Sequence, residues 1–193
     1  MRLAVLCLVA FAALPPLSDA QAPVIVITPE GSSVNFFVKA SVDLQGSFNK
    51  WDATLKFTSP DLTTGVLDIK IRAASVNTGS RMKNYKLKGK DFFNVNQDPF
   101  ITFLSRKVVQ TGPYTFDAQG DFTIRGVTKP ETLILIVSPE GKGSAEIKGT
   151  MAFDRREYGM NSGIPFMRIA DRVEITVDLN AKQVSGLPLV YKR

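Results

Sequence analysis

The stretch "YTFDAQGDFTIR", from Tyr114 to Arg125, alternates apolar or small residues with polar ones without a break. In an extended chain Phe116, Phe122 and Ile124 fall on one face, and the charged and hydroxylated residues fall on the other. Strands with one wet face and one dry face belong to antiparallel sheets. The stretch therefore predicts an antiparallel strand that covers an apolar core.

The same period of two recurs along the chain. It is present in "WDATLKFT" (51–58), "VLDIKIRA" (66–73), "AEIKGTMAFD" (145–154) and "RVEITVDLNA" (172–181). Turn-forming sequences separate these stretches, namely "TPEGSS", "TSPDLTTG", "QTGP", "RGVTKP" and "SPEGKGS". Short, regular spacing without a long helical pattern predicts an all-β sandwich or barrel.

The predicted dry faces also contain small residues. They are Ala53, Ala118, Gly120, Ala145 and Gly149. Small residues beside Phe and Trp leave voids, which weakly favours an internal apolar cavity. Tight packing, in which small residues fit the taper of a closed barrel, explains the pattern equally well.

The N-terminal segment has the features of a secretory signal. Arg2 precedes the apolar run "LAVLCLVAFAALPPL", and small residues end at Ala20. The run is short for a membrane span, which needs ~20 residues, although a retained anchor is the competing interpretation. We expect 1–20 to be a cleaved signal peptide and the protein to be periplasmic. The remaining 21–193 has the length of one domain, with 181–193 as a C-terminal tail.

The composition excludes several kinds of active site. The chain has no histidine, and its one cysteine, Cys7, lies in the predicted signal peptide. The exported chain therefore has no thiol nucleophile, no ordinary zinc site and no histidine base. The net charge of +6 favours anionic headgroups, phosphates or acidic partners, and export argues against nucleic acid.

Two Ser-x-x-Lys patterns, Ser47–Lys50 and Ser80–Lys83, are the acyl-transfer candidates. Neither is accompanied by the supporting motifs that this chemistry uses elsewhere. We therefore expect a protein without catalytic activity, metal or cofactor, and an acyl-transferring enzyme remains a third hypothesis that a serine-reactive probe would test.

A basic segment, "SRMKNYKLKGKDFF" (80–93), contains five cations and a single acid. Ser80 is a suitable N-cap and Gly89 a suitable end, which predicts a short helix near 80–90.

Two interpretations of this segment stay open. In one it is a solvated basic helix, and Met82, Tyr85, Phe92 and Phe93 fill the core. In the other it covers the mouth of a barrel, so that its apolar residues touch a lipid while Arg81 or a lysine meets a polar headgroup or an anionic membrane.

Several motifs in order resemble the YceI-like family of exported polyisoprenoid-binding proteins. They are "VNTGSRMKNYKLKGKDFFNVNQDPFITFLS" (76–105), "GDFTIRGVTKP" (120–130), and "REYGMN" (156–161) followed by "IADRVEITVDLNA" (169–181). The likeness spans about 24–181. It departs in the helix motif, where the Asp and His of the family are replaced by Met82 and Tyr85.

The resemblance implies a lipocalin-like antiparallel β-barrel of about eight strands with a long apolar pocket. It implies a carrier or store for isoprenoid lipids, including quinones, that catalyses no reaction. The net charge and the basic segment, and not the resemblance, are the basis for expecting transient contact with an anionic membrane surface. The alternative is a structural or stress-response interaction module whose barrel is filled by its own side chains. The predicted ligand-binding residues are Phe36, Val38, Phe48, Trp51, Phe57, Arg81, Tyr85, Phe92, Phe103, Phe122, Phe153 and Met167.

Overall fold

The computed structural model describes residues 22–163 and 168–191, so the predicted signal peptide and Met167 lie outside the described residues. Ten strands, one α-helix and three short 3-10 helices make up this part of the chain. The strands are β1 (Val24–Ala40), β2 (Leu44–Phe48), β3 (Trp51–Lys56), β4 (Val66–Arg72), β5 (Val76–Asn77), β6 (Phe100–Gln110), β7 (Thr115–Ile124), β8 (Val127–Gly141), β9 (Ser144–Asp154) and β10 (Ile169–Ser185). The helix α1 is Arg81–Lys88, and the 3-10 helices are Leu62–Thr64, Ala73–Ser75 and Arg155–Tyr158.

The sheet closes into an antiparallel barrel because its first and last long strands pair with each other. The order around the barrel is β10, β9, β8, β7, β6, β4, β3 and β1, and β1 returns to β10. Strands β2 and β3 follow each other along the same side of β1, with β2 pairing at 35–38 and β3 at Val24. The predicted eight-stranded barrel is confirmed.

The alternation that opened the sequence analysis is confirmed on β7. Phe116, Ala118, Gly120, Phe122 and Ile124 are buried, while the intervening side chains are at least partly exposed. Strand β7 is therefore wet on one face only, as an antiparallel barrel strand should be.

Two of the small residues fit tight packing and leave no void. A Cβ on Gly120 would lie 2.3 Å from the carbonyl oxygen of Leu104. A Cβ on Gly149 would lie 2.5 Å from Val177 Cγ2. Glycine is needed there because neighbouring atoms already occupy the space.

One predicted turn is a bulge instead. The "TPEGSS" residues lie inside β1, where the register with β10 shifts between Thr28 and Ser33. Gly31 has φ 74°, which lets β1 absorb the additional residues and continue.

The predicted helix is confirmed together with its caps. Ser80 Oγ accepts a hydrogen bond from the Lys83 amide at 3.5 Å, and the Gly89 amide donates to the Lys86 carbonyl at 3.1 Å. No helix among residues 22–163 and 168–191 combines the length and the apolar character that a membrane crossing requires.

Candidate functional site

The barrel contains two apolar cavities, one above the other along its axis. The larger, of about 240 Å³, is the tail-end cavity, at the end that residues 186–191 cover. The smaller, of about 60 Å³, is the helix-end cavity, at the end that α1 covers. On β4, Leu67 lines the first cavity and Ile71 the second, so the two are four residues apart on one strand.

The tail-end cavity is lined by aliphatic and aromatic side chains from all eight barrel strands and from the adjoining loops. Representative lining residues are Leu55, Phe57, Leu62, Val108, Leu135, Ala145, Ile147 and Ala181. Polar atoms come from Ser144, Gln183 and Tyr191, and the last two belong to the C-terminal stretch that follows Ala181. An apolar interior with a few polar groups is the usual composition of a small-ligand pocket.

The C-terminal stretch closes this cavity. Strand β10 continues to Ser185, so its last residues lie inside the predicted C-terminal tail 181–193. Beyond the strand, Pro188, Leu189 and Tyr191 line the cavity. The Val190 amide donates to the Pro60 carbonyl at 2.9 Å, which ties the tail to the loop after β3.

Gln183 holds the turn that starts this cover. Its side-chain amide donates to the main-chain carbonyls of 185–187, the shortest of these contacts being 2.7 Å. Gly186 has φ 85°, and a Cβ there would lie 2.4 Å from the Ala22 carbonyl oxygen. The turn thus depends on glycine for both its conformation and its close approach.

Tyr191 ends the cover against a second aromatic ring. Its ring meets that of Tyr114 edge-on, with centroids 5.5 Å apart. Burial, with a smaller contribution from Tyr114, raises the pKa of the Tyr191 hydroxyl above its ordinary value. Tyr191 is one of the residues that line the cavity, and its neutral hydroxyl can donate a hydrogen bond.

A middle layer of packed side chains separates the two cavities. Its members are buried and line neither cavity. They are Val34, Ile69, Phe103, Ala118, Leu133, Val177 and Leu179. Gly149 completes the layer, because the space that a Cβ would take there is bounded by Val177 at 2.5 Å and Leu133 at 3.2 Å.

The helix-end cavity is small because phenylalanine rings fill most of that end. Phe36 and Phe48 have ring centroids 5.7 Å apart, and Phe48 and Phe93 5.8 Å. On the other side Phe122 and Phe153 are 5.1 Å apart. Aromatic pairs at these distances pack favourably beyond the area that they bury.

Arg155 is the charged residue of the helix-end lining, and its exposed fraction is 6%. Its guanidinium donates to the carbonyls of Ala170 and Ser162, both at 3.1 Å, and to that of Met160. Its Nη2 also lies 3.2 Å from Asp171 Oδ1. Each guanidinium nitrogen already faces a protein oxygen, so Arg155 fixes the neighbouring chain and is not offered to a headgroup.

Two further contacts lock the same end. The fully buried Tyr158 donates its hydroxyl to Glu131 Oε1 at 2.9 Å, and burial, followed by this hydrogen bond, raises the pKa of Tyr158 strongly. Arg125, at φ 57° in the turn between β7 and β8, donates to the carbonyls of Lys90 and Gly159. Arg125 thereby ties the chain after α1 to the 3-10 helix beside Tyr158.

The structure distributes the predicted ligand-binding residues over the whole molecule. Six of them line the helix-end cavity, namely Phe36, Val38, Phe48, Phe92, Phe122 and Phe153. Phe57 lines the tail-end cavity, and Phe103 belongs to the middle layer. Trp51 lines two grooves on the outer surface at the junction of β2 and β3, and Arg81 and Tyr85 are exposed on α1.

Sequence reasoning missed the tail residues that close the larger cavity. Leu189 and Tyr191 stand in the sequence "LPLVY", whose apolar character was the available signal. Alternation could not assign them, because they follow the last strand.

The serines of the two Ser-x-x-Lys patterns make local hydrogen bonds. Ser80 caps α1, and Ser47 Oγ lies 3.4 Å from Asn49 Oδ1. Across the described ranges no three His, Cys, Asp or Glu side chains come together as a metal site would require.

The sequence model of the YceI-like domain matches residues 26–181. The chain belongs to the YceI-like family. Among its YceI-like relatives is a UPF0312 protein of Pseudomonas syringae pv. tomato, which is 29% identical over 140 residues, or 70% of this chain and 72% of the relative. The tail that closes the larger cavity lies largely beyond the YceI-like match.

Two solved structures share the barrel. The crystal structure of Burkholderia cenocepacia BcnA has 26% identity and a TM-score of 0.73, and the match covers 80% of this chain and 99% of that one. A polyisoprenoid binding domain from Saccharophagus degradans, implicated in plant cell wall breakdown, has 14% identity and a TM-score of 0.68 over 83% of this chain and 99% of that one. At that identity the second likeness shows the fold alone.

Proposed function

We propose that this chain is a periplasmic, non-catalytic binding protein that holds the apolar chain of an isoprenoid lipid, a quinone or a similar long-chain amphiphile. The observation that carries the proposal is the tail-end cavity of about 240 Å³ with its apolar lining. Each CH2-sized group that leaves water for such a space gains ~0.8 kcal/mol. The ligand class is the one that the resemblance to the YceI-like family implies, and the family model matches residues 26–181.

The size of the cavity limits what enters it. An engineered cavity of about 150 Å³ stays dry and binds benzene, a six-carbon ligand. By proportion, the tail-end cavity accepts about ten carbons, or roughly two isoprene units. We therefore propose that it takes the end of a prenyl chain, and that a longer chain requires the middle layer to move.

The polar end of such a ligand would lie at the mouth formed by the tail. There the Tyr191 hydroxyl and Gln183 are the nearest polar side chains of the lining. Arg81, predicted to meet the headgroup, belongs to α1 at the opposite end of the barrel. For a ligand in the tail-end cavity, we expect Arg81→Ala to leave the affinity unchanged.

The middle layer favours a second function. A barrel whose centre is packed with its own side chains suits an interaction module that carries no lipid. This alternative predicts a bare mass for the protein purified from its native periplasm and no uptake of added prenyl lipid, as measured by native mass spectrometry. A bound amphiphile, or uptake of one, supports the carrier.

A matched pair of variants tests the location of the site. Ala145 lines the tail-end cavity, whereas Ala152 lies on the outer face of the same strand. We expect Ala145→Phe to fill the cavity and abolish uptake of geranyl and farnesyl phosphate in titration calorimetry, while Ala152→Phe binds like the unmodified protein. Equal binding by both variants would show that the ligand does not occupy this cavity.

A further inference from the structure

The outer face of α1 carries two large apolar side chains that nothing covers. Met82 and Tyr85 are 80% and 83% exposed, the highest values among the large apolar residues that the structure describes. Residues three or four apart in a helix lie on one face, so Arg81, Tyr85 and Lys88 follow one another along this surface. Leu87 points the other way and lines the helix-end cavity.

The charge around this face is strongly positive. Residues 80–93 contain five cations and one acid, Asp91. Lys86 Nζ lies 2.9 Å from Asp91 Oδ2, and this hydrogen bond holds the pKa of the Asp91 carboxyl below its usual value. Asp91 is thus ionised and matched by Lys86. Within the described part of the chain, neither Arg81 nor Lys88 has an ion pair.

We infer that this face, defined as Arg81, Met82, Tyr85 and Lys88 and called the docking face, binds reversibly to an anionic lipid membrane. The inference goes beyond the proposed function, because it concerns the outer surface and requires no ligand inside the barrel.

The chemistry of the docking face matches a membrane surface. Tyrosine is enriched at membrane–water interfaces, where its ring is buried and its hydroxyl stays hydrated. Each basic residue near an anionic leaflet strengthens binding by about fivefold.

A protein partner fits the docking face less well. A stable protein interface buries ~800 Å² on each side, which an eight-residue helix with two apolar side chains does not supply. Leu87 and the turn after α1 attach the inner side of the helix to the helix end of the barrel. Docking through the outer side would therefore bring that end of the barrel against the bilayer.

Vesicle co-sedimentation of the full exported chain tests the inference. The probe is a vesicle of phosphatidylcholine and phosphatidylglycerol, compared with phosphatidylcholine alone. We expect the unmodified chain to bind the anionic vesicle only. The binding constant should fall about 25-fold in Arg81→Gln/Lys88→Gln. It should fall about tenfold in Met82→Ser/Tyr85→Ser. Arg81, Met82 and Tyr85 are exposed and Lys88 is partly exposed, and an unchanged Tm verifies that the variants are folded.

The matched control removes the same charge from the other end of the barrel. Lys56 and Lys182 are exposed and lie at the tail end, where Lys56 pairs with Val24. We expect Lys56→Gln/Lys182→Gln to bind vesicles like the unmodified chain. An equal loss in this control, or no loss in Arg81→Gln/Lys88→Gln, would overturn the inference. If Met82→Ser/Tyr85→Ser binds vesicles normally and soluble polyphosphate competes fully, the docking face binds polyanions in general. That result would reject the inference that its partner is a membrane.

Discussion

The two ends of the barrel share most of their strands and differ in how much space they leave. At the helix end, phenylalanine rings, the buried Arg155 and the buried Tyr158 reduce the cavity to about 60 Å³. At the tail end the lining is mainly aliphatic and the cavity is about 240 Å³. The covers differ as well. Hydrogen bonds from Arg125 and Arg155 join the helix end to distant parts of the chain. In the tail, the Gln183 side chain bonds to its own turn, and a main-chain bond from Val190 and an edge-on contact between Tyr191 and Tyr114 tie the tail to the barrel.

This difference shows that room inside a barrel depends on the cover of each end as much as on the strands. Rings and guanidinium groups fill volume and fix neighbouring chain at the same time. A terminal segment that packs only a few side chains leaves space and can separate from the barrel at low cost. We therefore expect stability to depend mainly on the helix end and ligand entry on the tail end.

The largest effect should come from removing the buried cation of the helix end. Arg155→Ala leaves the carbonyls of Ala170, Met160 and Ser162 without their donor and leaves Asp171 with Arg156 as its remaining partner. Because loss of one member of a buried ion pair costs about 3–5 kcal/mol, we expect a loss of about 3 kcal/mol in the free energy of unfolding. Urea unfolding followed by circular dichroism measures this. Arg156, which is exposed and also lies 2.8 Å from Asp171, is the control, and Arg156→Ala should cost at most about 1 kcal/mol. Equal losses would mean that the helix end does not depend on the buried guanidinium.

A slightly smaller effect is expected from opening the middle layer. Leu133→Ala removes a side chain that is 1% exposed between the two cavities and should cost about 3 kcal/mol. It should also join the two cavities, so that calorimetry shows tighter binding of prenyl phosphates longer than farnesyl. Leu104, on the outer face of β6, is the control, and Leu104→Ala should leave the chain-length preference unchanged. An unchanged preference in Leu133→Ala would show that this layer does not limit the ligand.

The tail should be sensitive to the glycine at its start. Both Gly186 and Gly79 have positive φ, at 85° and 73°, and an alanine there costs ~1–2 kcal/mol from backbone strain alone. A Cβ at 186 would also collide with Ala22, whereas at 79 it meets nothing within 4 Å. We expect Gly186→Ala to cost more than Gly79→Ala and to speed the release of geranyl phosphate in stopped-flow measurements. Similar release rates in the two variants would argue against entry beneath the tail.

The smallest expected effect is a dependence on alkaline pH. Burial raises the pKa of Tyr158 in the folded state. Just above pH 10, the ordinary pKa of tyrosine being about 10, the Tyr158 hydroxyl therefore loses its proton only in the unfolded state. The contribution of Tyr158 to the free energy of unfolding is therefore constant below that pH and falls as the pH rises past it. Urea titrations should show a shallower fall in Tyr158→Phe, and a smaller change in Tyr191→Phe at the tail end. A fall that is unchanged in Tyr158→Phe would contradict this assignment.

Much of the fold was predictable because it rests on local rules. The alternation in 114–125 specified which side of β7 is buried, and Ser80 and Gly89 marked the ends of α1. The site was predictable only in part. Phe36, Phe122 and Phe153 lie inside the barrel, but alternation does not say at which level along the axis each side chain lies.

The sequence by itself determined antiparallel strands with one apolar face and a short basic helix, because period-two patterns and helix caps are properties of neighbouring residues. The choice of a barrel over a sandwich came from the resemblance to the YceI-like family. Only the tertiary structure decided where the interior is empty. That depends on which side chains from different strands meet at one level, and bulges in β1 and β6 shift those levels. It depends equally on the tail, whose contact between Val190 and Pro60 joins distant parts of the chain that no local pattern relates.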